Sequence, residues 1–455
     1  MNYIKKALLL FSIFISLTAW AEETVLNTTA GNLASAIAGN NLANIDDLKL
    51  TGSVNATDFF FIRDNIKDIK SIDMSEVRIE ACEIDGVSYP ANEIPANAFY
   101  VPLASSGLSR LNTFYFPITI ESIGENAFYQ VTNLRYTNLG ELPSLRVIKS
   151  AAISRCTRLR EIEIPASVEE IGVAAFAYNQ QLNKVSIASG SRLSLLGNNA
   201  FNGCSLISSL DFSETLLVEI GKEAFNACSQ LNSIALPATV ETIGDEAFMY
   251  TAINQIDWSH LSKLSVIEGS MFYGVGSLQS VVLPLGIKEI KASAFTLCKG
   301  MSSISLPYNL TTIGDWAFAN CTALLTIVCP TPAVPTVGYQ AFQGVNTANV
   351  NVEVLESIIS QYENDAIWST FSLIGNPFTG LHTTHHNVAQ VLRSANCIEV
   401  VSPTMIGTIT LYSYNGNILH NYTVNSTHAV VEYVAHTRCI MRIGYTNGDT
   451  EVVQL

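Results

Sequence analysis

Apolar and polar positions along the chain fall into a block that keeps returning. From Leu231 it reads LNSIALPATVETIGDEAF, with apolar residues at Leu231, Ile234, Leu236, Val240, Ile243 and Phe248. The aromatic slot that closes the block recurs as Phe99, Phe128, Ile153, Phe176, Phe201, Phe225, Phe248, Phe272, Phe295, Phe318 and Phe342, at intervals of 23 to 29 residues. Eleven copies at that period indicate a solenoid of the leucine-rich kind. The Leu-x-x-Ile-x-Leu-Pro step, seen again at residues 159–165, 278–284 and 301–307, ends in the period-two spacing of a short strand with one buried face. Pro then ends pairing by removing a backbone donor. Gly follows the next Ile in most copies, among them Gly124, Gly172, Gly197, Gly221 and Gly244, and is expected at a tight turn with positive φ. Ala-Phe-x-x-Cys predicts one short helical turn on the opposite side. A single block cannot bury its apolar face, so stacking of neighbours makes the core. At about 4.8 Å per parallel strand, ten or eleven turns form a rod or arc of roughly 50 Å.

Irregular blocks flank the repeats. Leu48 with Leu50, and Ile69 with Ile72 and Met74, predict two strand slots with an amphipathic helix between them, capped by Thr57 or Asp58. This N-terminal unit, residues 22–95, covers the open end of the core. Residues 346–380, with Val352, Val354, Tyr362, Trp368, Phe371 and Ile374, close the other end. From residue 381 the period changes. Ile409 and Leu411, Ile418, Val430 and Val431, Ile440 and Ile443, and Val452 and Val453 predict an antiparallel β-sandwich with Asn-Gly and Gly-Asp turns. At the start of the chain, Lys5 and Lys6, an apolar run to Trp20, and Ala19-Trp20-Ala21 ahead of Glu22 have the pattern of a secretory signal peptide over residues 1–21. That run is short of the roughly 20 residues of a membrane span.

Of the 455 residues, 48% are hydrophobic and 14% charged, which excludes a disordered chain. A net charge of -15 argues against nucleic-acid binding, where phosphate contacts dominate affinity. No H-E-x-x-H, G-x-S-x-G or G-x-x-x-x-G-K-[ST] motif occurs, and no cofactor or metal is expected. Five of the nine Cys (Cys156, Cys204, Cys228, Cys298 and Cys321) sit three residues after the aromatic slot. They read as buried thiols stacked turn on turn, or as bridges between adjacent turns. Cys397 and Cys439 are the better disulfide candidates. His382, His385 and His386 could share a metal if helical, or form a solvated linker.

The blocks, written IG-x-x-AF-x-x-C-x-x-L-x-x-I-x-LP, resemble the BspA-like leucine-rich repeat family, extracytoplasmic and surface proteins of Bacteroidales and some other bacteria, over roughly residues 95–345. The resemblance implies an α/β repeat solenoid, right-handed, of about 11 turns of 23–25 residues. It also implies adhesion to host proteins and cells, with no enzymatic activity. The copies at Ile153, Phe201 and Phe272 lack the Leu-Pro step. The C-terminal stretches ITLYSYNGNIL and CIMRIGYTNGDTEVVQL are similar to the sorting domain of type IX secretion cargo, without that domain's Gly-x-Tyr step or basic ending. An accessory β-domain is the other reading.

Strand alternation turns Tyr115, Tyr136, Asn138, Glu161, Glu163 and Lys184 outward on successive turns, whereas Ser280, Ser303 and Ser305 in the second half are small. Exposed aromatics beside charges are what binding hot spots are made of. These six are the candidate ligand-binding residues, and the expected partner of the monomer is a macromolecule, a host protein or glycan. A basic series (Arg110, Arg135, Arg146, Lys149, Arg155, Arg158 and Arg160) either meets an acidic surface or anionic glycan, or is scattered over several faces. Two other readings stay open: a structural cell-surface component, and a glycan-cleaving enzyme using Glu161 with Glu163, or Asp211 with Asp257, as paired carboxylates. Mass spectrometry of the exported protein is expected to find Glu22 at its N-terminus, because the A-x-A site ends at Ala21. A retained Met1 contradicts this export route.

Overall fold

Coils form because each short apolar strand finds its successor one period later and pairs with it in parallel. In the computed structural model the described residues are 23–102, 106–258, 260–284, 286–376, 390–393, 397–413, 418–432, 439–446 and 450–454. The expected signal peptide and His382, His385 and His386 lie outside them. Along one side, β1 (Thr24–Thr28), β2 (Asp47–Val54) and β3 (Ser71–Ile79) pair in parallel, followed by Thr113–Tyr115 and Tyr136–Thr137. This face continues through Glu161–Ile164 with Lys184–Ile187, Ser209–Asp211 with Ser233–Ala235, and a six-stranded ladder from Gln255–Asp257 to Ser372–Asn376. A narrower ladder of two-residue strands runs from Glu93–Ile94 to Thr242–Ile243 and resumes from Val266–Ile267 to Thr336–Val337. The parallel solenoid thus has about 14 turns, more than the expected 11. The difference arises at the ends, where β1, β2, Asn351–Leu355 and Ser372–Asn376 join the ladder as full strands.

The aromatic slot forms the spine of the core. From Phe176 to Phe342 the rings lie face to face at centroid spacings of 5.3 to 5.9 Å, tilted by 3 to 13°. Such pairs contribute about 0.5–1.5 kcal/mol each beyond their burial. Ile153 interrupts the pile. On its N-terminal side Phe99, Phe114, Phe116 and Phe128 pack tilted or edge to face.

The expected helical turn around Ala-Phe-x-x-Cys is absent. In its place are three consecutive tight turns, seen clearly at Phe248: Ala247 N–H donates to Gly244 O, Met249 to Glu246 O, and Thr251 to Phe248 O. The alternate amides point across the gap, with Glu246, Phe248 and Tyr250 donating to Gly269, Met271 and Tyr273 carbonyls at 2.9–3.0 Å. This alternation requires positive φ two residues before and two after the aromatic, 58° at Glu246 and 57° at Tyr250. Left-handed φ at a non-glycine residue costs about 1–2 kcal/mol. The inter-coil bonds offset that cost, and they recur in every coil from Phe128 to Phe318. Among the described residues α-helix is confined to the ends, at α1 (Leu33–Ala36), α2 (Ala56–Asn65) and Ile359–Glu363.

The glycine that follows the last strand residue, Ile in most coils and Leu196 before Gly197, serves closeness rather than positive φ. At Gly197 a Cβ would lie 2.7 Å from the backbone of Gly172 and Val173, and at Gly221 it would lie 2.5–2.7 Å from Gly197 and Asn198. Glu268 and Lys291 replace this glycine on two successive coils and bond each other at 2.5 Å. The narrow ladder breaks just before them, between Thr242–Ile243 and Val266–Ile267.

The five repeat cysteines are free and buried. Each thiol donates to the carbonyl of the aromatic-slot residue one coil earlier: Cys156 to Phe128, Cys204 to Phe176, Cys228 to Phe201, Cys298 to Phe272 and Cys321 to Phe295, at 3.1–3.2 Å. Burial pushes the Cys204 and Cys321 thiols up to about 12. In the Phe176 coil the slot holds buried Asn179, whose amide donates to Ile153 O and accepts from Cys156 N–H.

At the N-terminal end the predicted helix is α2, but its cap is Asn55, which accepts from Thr57 N–H at 3.0 Å. Asp58 stands inside the first turn and closes a capping box, while also accepting from Gly31 and Leu33 amides. At the far end buried Tyr362 and Trp368 bond Thr331 and the Pro335 carbonyl. The C-terminal strands, Gln390–Arg393, Cys397–Ser413, Ile418–Glu432, Cys439–Tyr445 and Thr450–Gln454, form one continuous antiparallel sheet around Val400, Ile406, Ile409, Leu411, Val431, Met441 and Ile443. Cys397 opens the 17-residue strand and Cys439 pairs opposite Ser413 at its other end, so the two do not face each other across the ladder.

Phe248→Ala is expected to cost about 3–5 kcal/mol, the range for truncating a buried Phe. Its ring is fully buried between Phe225 and Phe272. Equilibrium denaturation checks this, and a loss below about 1 kcal/mol would contradict the stacked spine.

Candidate binding faces of the solenoid

Period-two alternation on the longer strands leaves one residue in two facing outward. Tyr115 and Tyr136 stand on adjacent coils with ring centroids 5.4 Å apart at 58°, and Tyr136 is 46% exposed. Partial burial, together with nearby Glu141 and Tyr115, raises the Tyr136 phenol above its ordinary pKa. The Tyr136 ring therefore presents a neutral hydroxyl beside a large apolar face. Glu161, Glu163 and Lys184 are exposed on the next two coils, where Lys184 Nζ lies 3.8 Å from Glu161 Oε2. Exposed pairs of this kind contribute about 0–1 kcal/mol, which leaves both charges available to a partner.

Asn138 departs from the expected outward position. It is 8% exposed, and its side chain accepts from Phe116 N–H at 2.7 Å while donating to Phe116 O at 3.3 Å. The strand ends at Thr137 and a tight turn, Leu139–Glu141, follows. Alternation stops there, and the amide replaces a missing strand residue in the ladder. The same turn separates two sheets: Tyr115 and Tyr136 belong to the N-terminal five-stranded sheet, whereas Glu161, Glu163 and Lys184 belong to the next pair of strands.

Residues outside the predicted set adjoin this face. Asp73 pairs in register with Tyr115, and Lys49 on β2 bridges Asp73 and Glu76 at 3.5 and 2.7 Å. They belong to strands that carry no repeat signature, and for that reason the pattern did not bring them to the surface patch. On the turn side, Tyr100 and Tyr129 meet edge to face at 4.7 Å, and the Arg155 guanidinium lies 4.6 Å over the Tyr178 ring.

Of the carboxylates proposed as catalytic pairs, Glu161 and Glu163 are exposed, whereas Asp211 lines a pocket of about 260 Å³ with Ser186, Ser191, Ser213 and Thr215. Asp211 accepts from the Ser213 hydroxyl at 2.6 Å and its amide at 2.9 Å, which holds its carboxyl below the usual range. That environment stabilises the carboxylate and opposes the raised pKa a general acid needs. Asp257 stands two strands further along the same face. Among the described residues no group of three or more His, Cys, Asp and Glu is placed to hold a metal ion. No helix among them is long and apolar enough to cross a membrane.

A model of the BspA type leucine-rich repeat region matches the chain in six copies, over residues 28–157, 92–216, 147–265, 194–324 and 257–366. The chain belongs to this family. Among solved structures it is similar to a leucine-rich repeat protein from Bacteroides ovatus, at 24% identity over 65% of this chain and 90% of that one, with a TM-score of 0.35. It is also similar to a leucine-rich cell surface protein from Faecalibacterium prausnitzii, at 23% identity over 54% and 85%, with a TM-score of 0.28. A third is the leucine-rich repeat protein of T. pallidum, at 25% identity over 40% and 72%, with a TM-score of 0.30. No curated protein matches.

Proposed function

We propose that this protein is a secreted or surface-attached, non-enzymatic binding protein that recognises a host protein or glycan through the first half of its strand face. The observation that carries the reading is the contact between the half-buried Tyr115 ring and the exposed Tyr136 ring, with Glu161, Glu163 and Lys184 solvated on the following coils. Tyrosine presents broad, rigid contact area at low entropic cost, and lightly paired charges at its rim give specificity. Asn138 belongs to the scaffold and is left out of the contact set. Family membership supports placement at the cell surface, where the repeat is associated with adhesion, and the N-terminal signal pattern supports export. The C-terminal sheet is the candidate attachment or sorting unit.

The second half of the strand face offers Ser280, Ser303 and Ser305 beside Val282 and Val328, a surface with little to anchor a partner. Screening the protein against arrays of host matrix proteins and glycans identifies the ligand. Tyr115→Ala and Tyr136→Ala are then expected to weaken its affinity by about 2 kcal/mol each, and Ser303→Ala and Ser305→Ala by under about 0.5. Equal, negligible effects from all four, read by calorimetry or surface plasmon resonance, would place recognition elsewhere.

A further inference from the structure

The basic series divides in the folded chain. Arg146 and Lys149 lie on the narrow-ladder side, held by Glu169 at 2.9 Å and Glu93 at 2.6 Å, and Arg155 is stacked on Tyr178. Arg110, Arg135 and Arg158 converge instead, together with Lys70, Asn112 and Asn133, on an open groove of about 280 Å³.

Backbone register explains this convergence. Lys70, Asn112 and Arg135 each immediately precede a strand of the wide face, and they stack coil on coil, since Asn112 N–H donates to Lys70 O and Arg135 N–H to Asn112 O, both at 2.8 Å. Arg160 precedes Glu161 in the same way. Arg110, Asn133 and Arg158 stand two residues earlier on their coils. The result is a row of cations running along the solenoid axis at the strand-entry edge. On later coils the equivalent positions are Asn183, Ser208, Asn232, Asn254, Gln279 and Ser302, so the row ends after four coils. Lys70 and Arg110 have acidic partners in half-buried Asp46 and exposed Asp68. Arg135, Arg158 and Arg160 are exposed and, among the described residues, have no acidic partner. Three unneutralised guanidinium groups together are out of keeping with a chain of net charge -15.

We infer that this edge is a binding groove for a linear sulfated polysaccharide. The row is axial, so its ligand is a chain with repeating negative charge rather than a single small anion. Guanidinium forks bind oxyanions in bidentate fashion. A pyranoside chain sulfated on each ring advances by about one coil height per ring, in step with a rise of about 4.8 Å. An extended acidic peptide presents same-face carboxylates about 6.6 Å apart, out of step with the coils. Double-stranded DNA carries a charge every ~1.7 Å on a stiff rod, which would also lie against Asp46, Asp68 and Glu161. The groove borders the strand face without including Tyr115 or Tyr136 and stands whether or not those rings engage a ligand.

The test is titration of the purified protein with dextran sulfate at about 50 and 200 mM salt, beside uncharged dextran, poly-glutamate and duplex DNA. Dextran sulfate is expected to bind, uncharged dextran not at all, and poly-glutamate and DNA at least about tenfold more weakly. The Arg135→Ala/Arg158→Ala double variant is expected to lose about tenfold or more in affinity and to lower the salt slope of log Kd by about two. Arg146→Ala, removing the same charge from the other side, is expected to change affinity less than about twofold. Both arginines of the double variant are exposed, and an unchanged melting curve shows that its fold is intact. The inference is overturned if dextran sulfate does not bind, if Arg146→Ala weakens it as much as the double variant does, or if poly-glutamate or DNA binds as tightly.

Discussion

Backbone amides reaching from one coil to the next hold this molecule at a constant pitch. Around every aromatic slot from Phe128 to Phe318 three N–H groups cross to the following coil, as Glu246, Phe248 and Tyr250 do to Gly269, Met271 and Tyr273. They reach only if the chain takes left-handed φ on both sides of the ring. Once that spacing is imposed, rings stack at 5.3 to 5.9 Å, a thiol three residues on meets the preceding carbonyl, and the residue after the strand Ile has almost no room for a side chain. The periodic features of the repeat are therefore consequences of one distance.

Local exceptions mark where that distance is renegotiated. Ile153 ends the face-to-face pile, and the rings before it pack at angles around Phe114 and Phe116. Glu268 and Lys291 fill the glycine column and answer each other with an ion pair where the narrow ladder is cut. The wide strand face is interrupted at the same two places, between Tyr136–Thr137 and Glu161–Ile164 and between Ser233–Ala235 and Gln255–Asp257. Its outward positions take no part in the wiring, which frees them to carry Tyr, Glu, Lys or Ser as binding demands.

Much of this was legible in the sequence. The period placed the strands, the buried rings and the outward Tyr115, Tyr136, Glu161, Glu163 and Lys184, because alternation and a strict repeat are direct readouts of burial. Several features were not. A glycine needed for a close approach leaves the same sequence mark as one needed for positive φ, and only the neighbouring coil distinguishes them. The left-handed positions are occupied by Glu, Tyr, Asn, Ala and Ser, so no residue type announces them. Asn138 looked outward because period-two reasoning assumes the strand continues, whereas it ends one residue earlier. The additional turns at the ends were partly legible: Leu48 and Leu50 marked β2, whereas β1 joins the ladder without carrying the repeat motif. The basic series was ambiguous until register sorted it, sending Arg146 and Lys149 to one side and Arg110, Arg135 and Arg158 to another.

Uniform coil-to-coil bonding also bears on inheritance. Between Phe176 and Phe342 any coil presents nearly the same donors and acceptors to its neighbours, so loss or duplication of a whole period rejoins surfaces that already match. A change of one or two residues inside a coil misaligns every bond on both sides. Recombination between a gene's own repeats makes the former kind of change readily. The N-terminal surface, with its tyrosines and arginines, can thus be carried on a longer or shorter stalk in steps of about 4.8 Å while its own residues stay untouched.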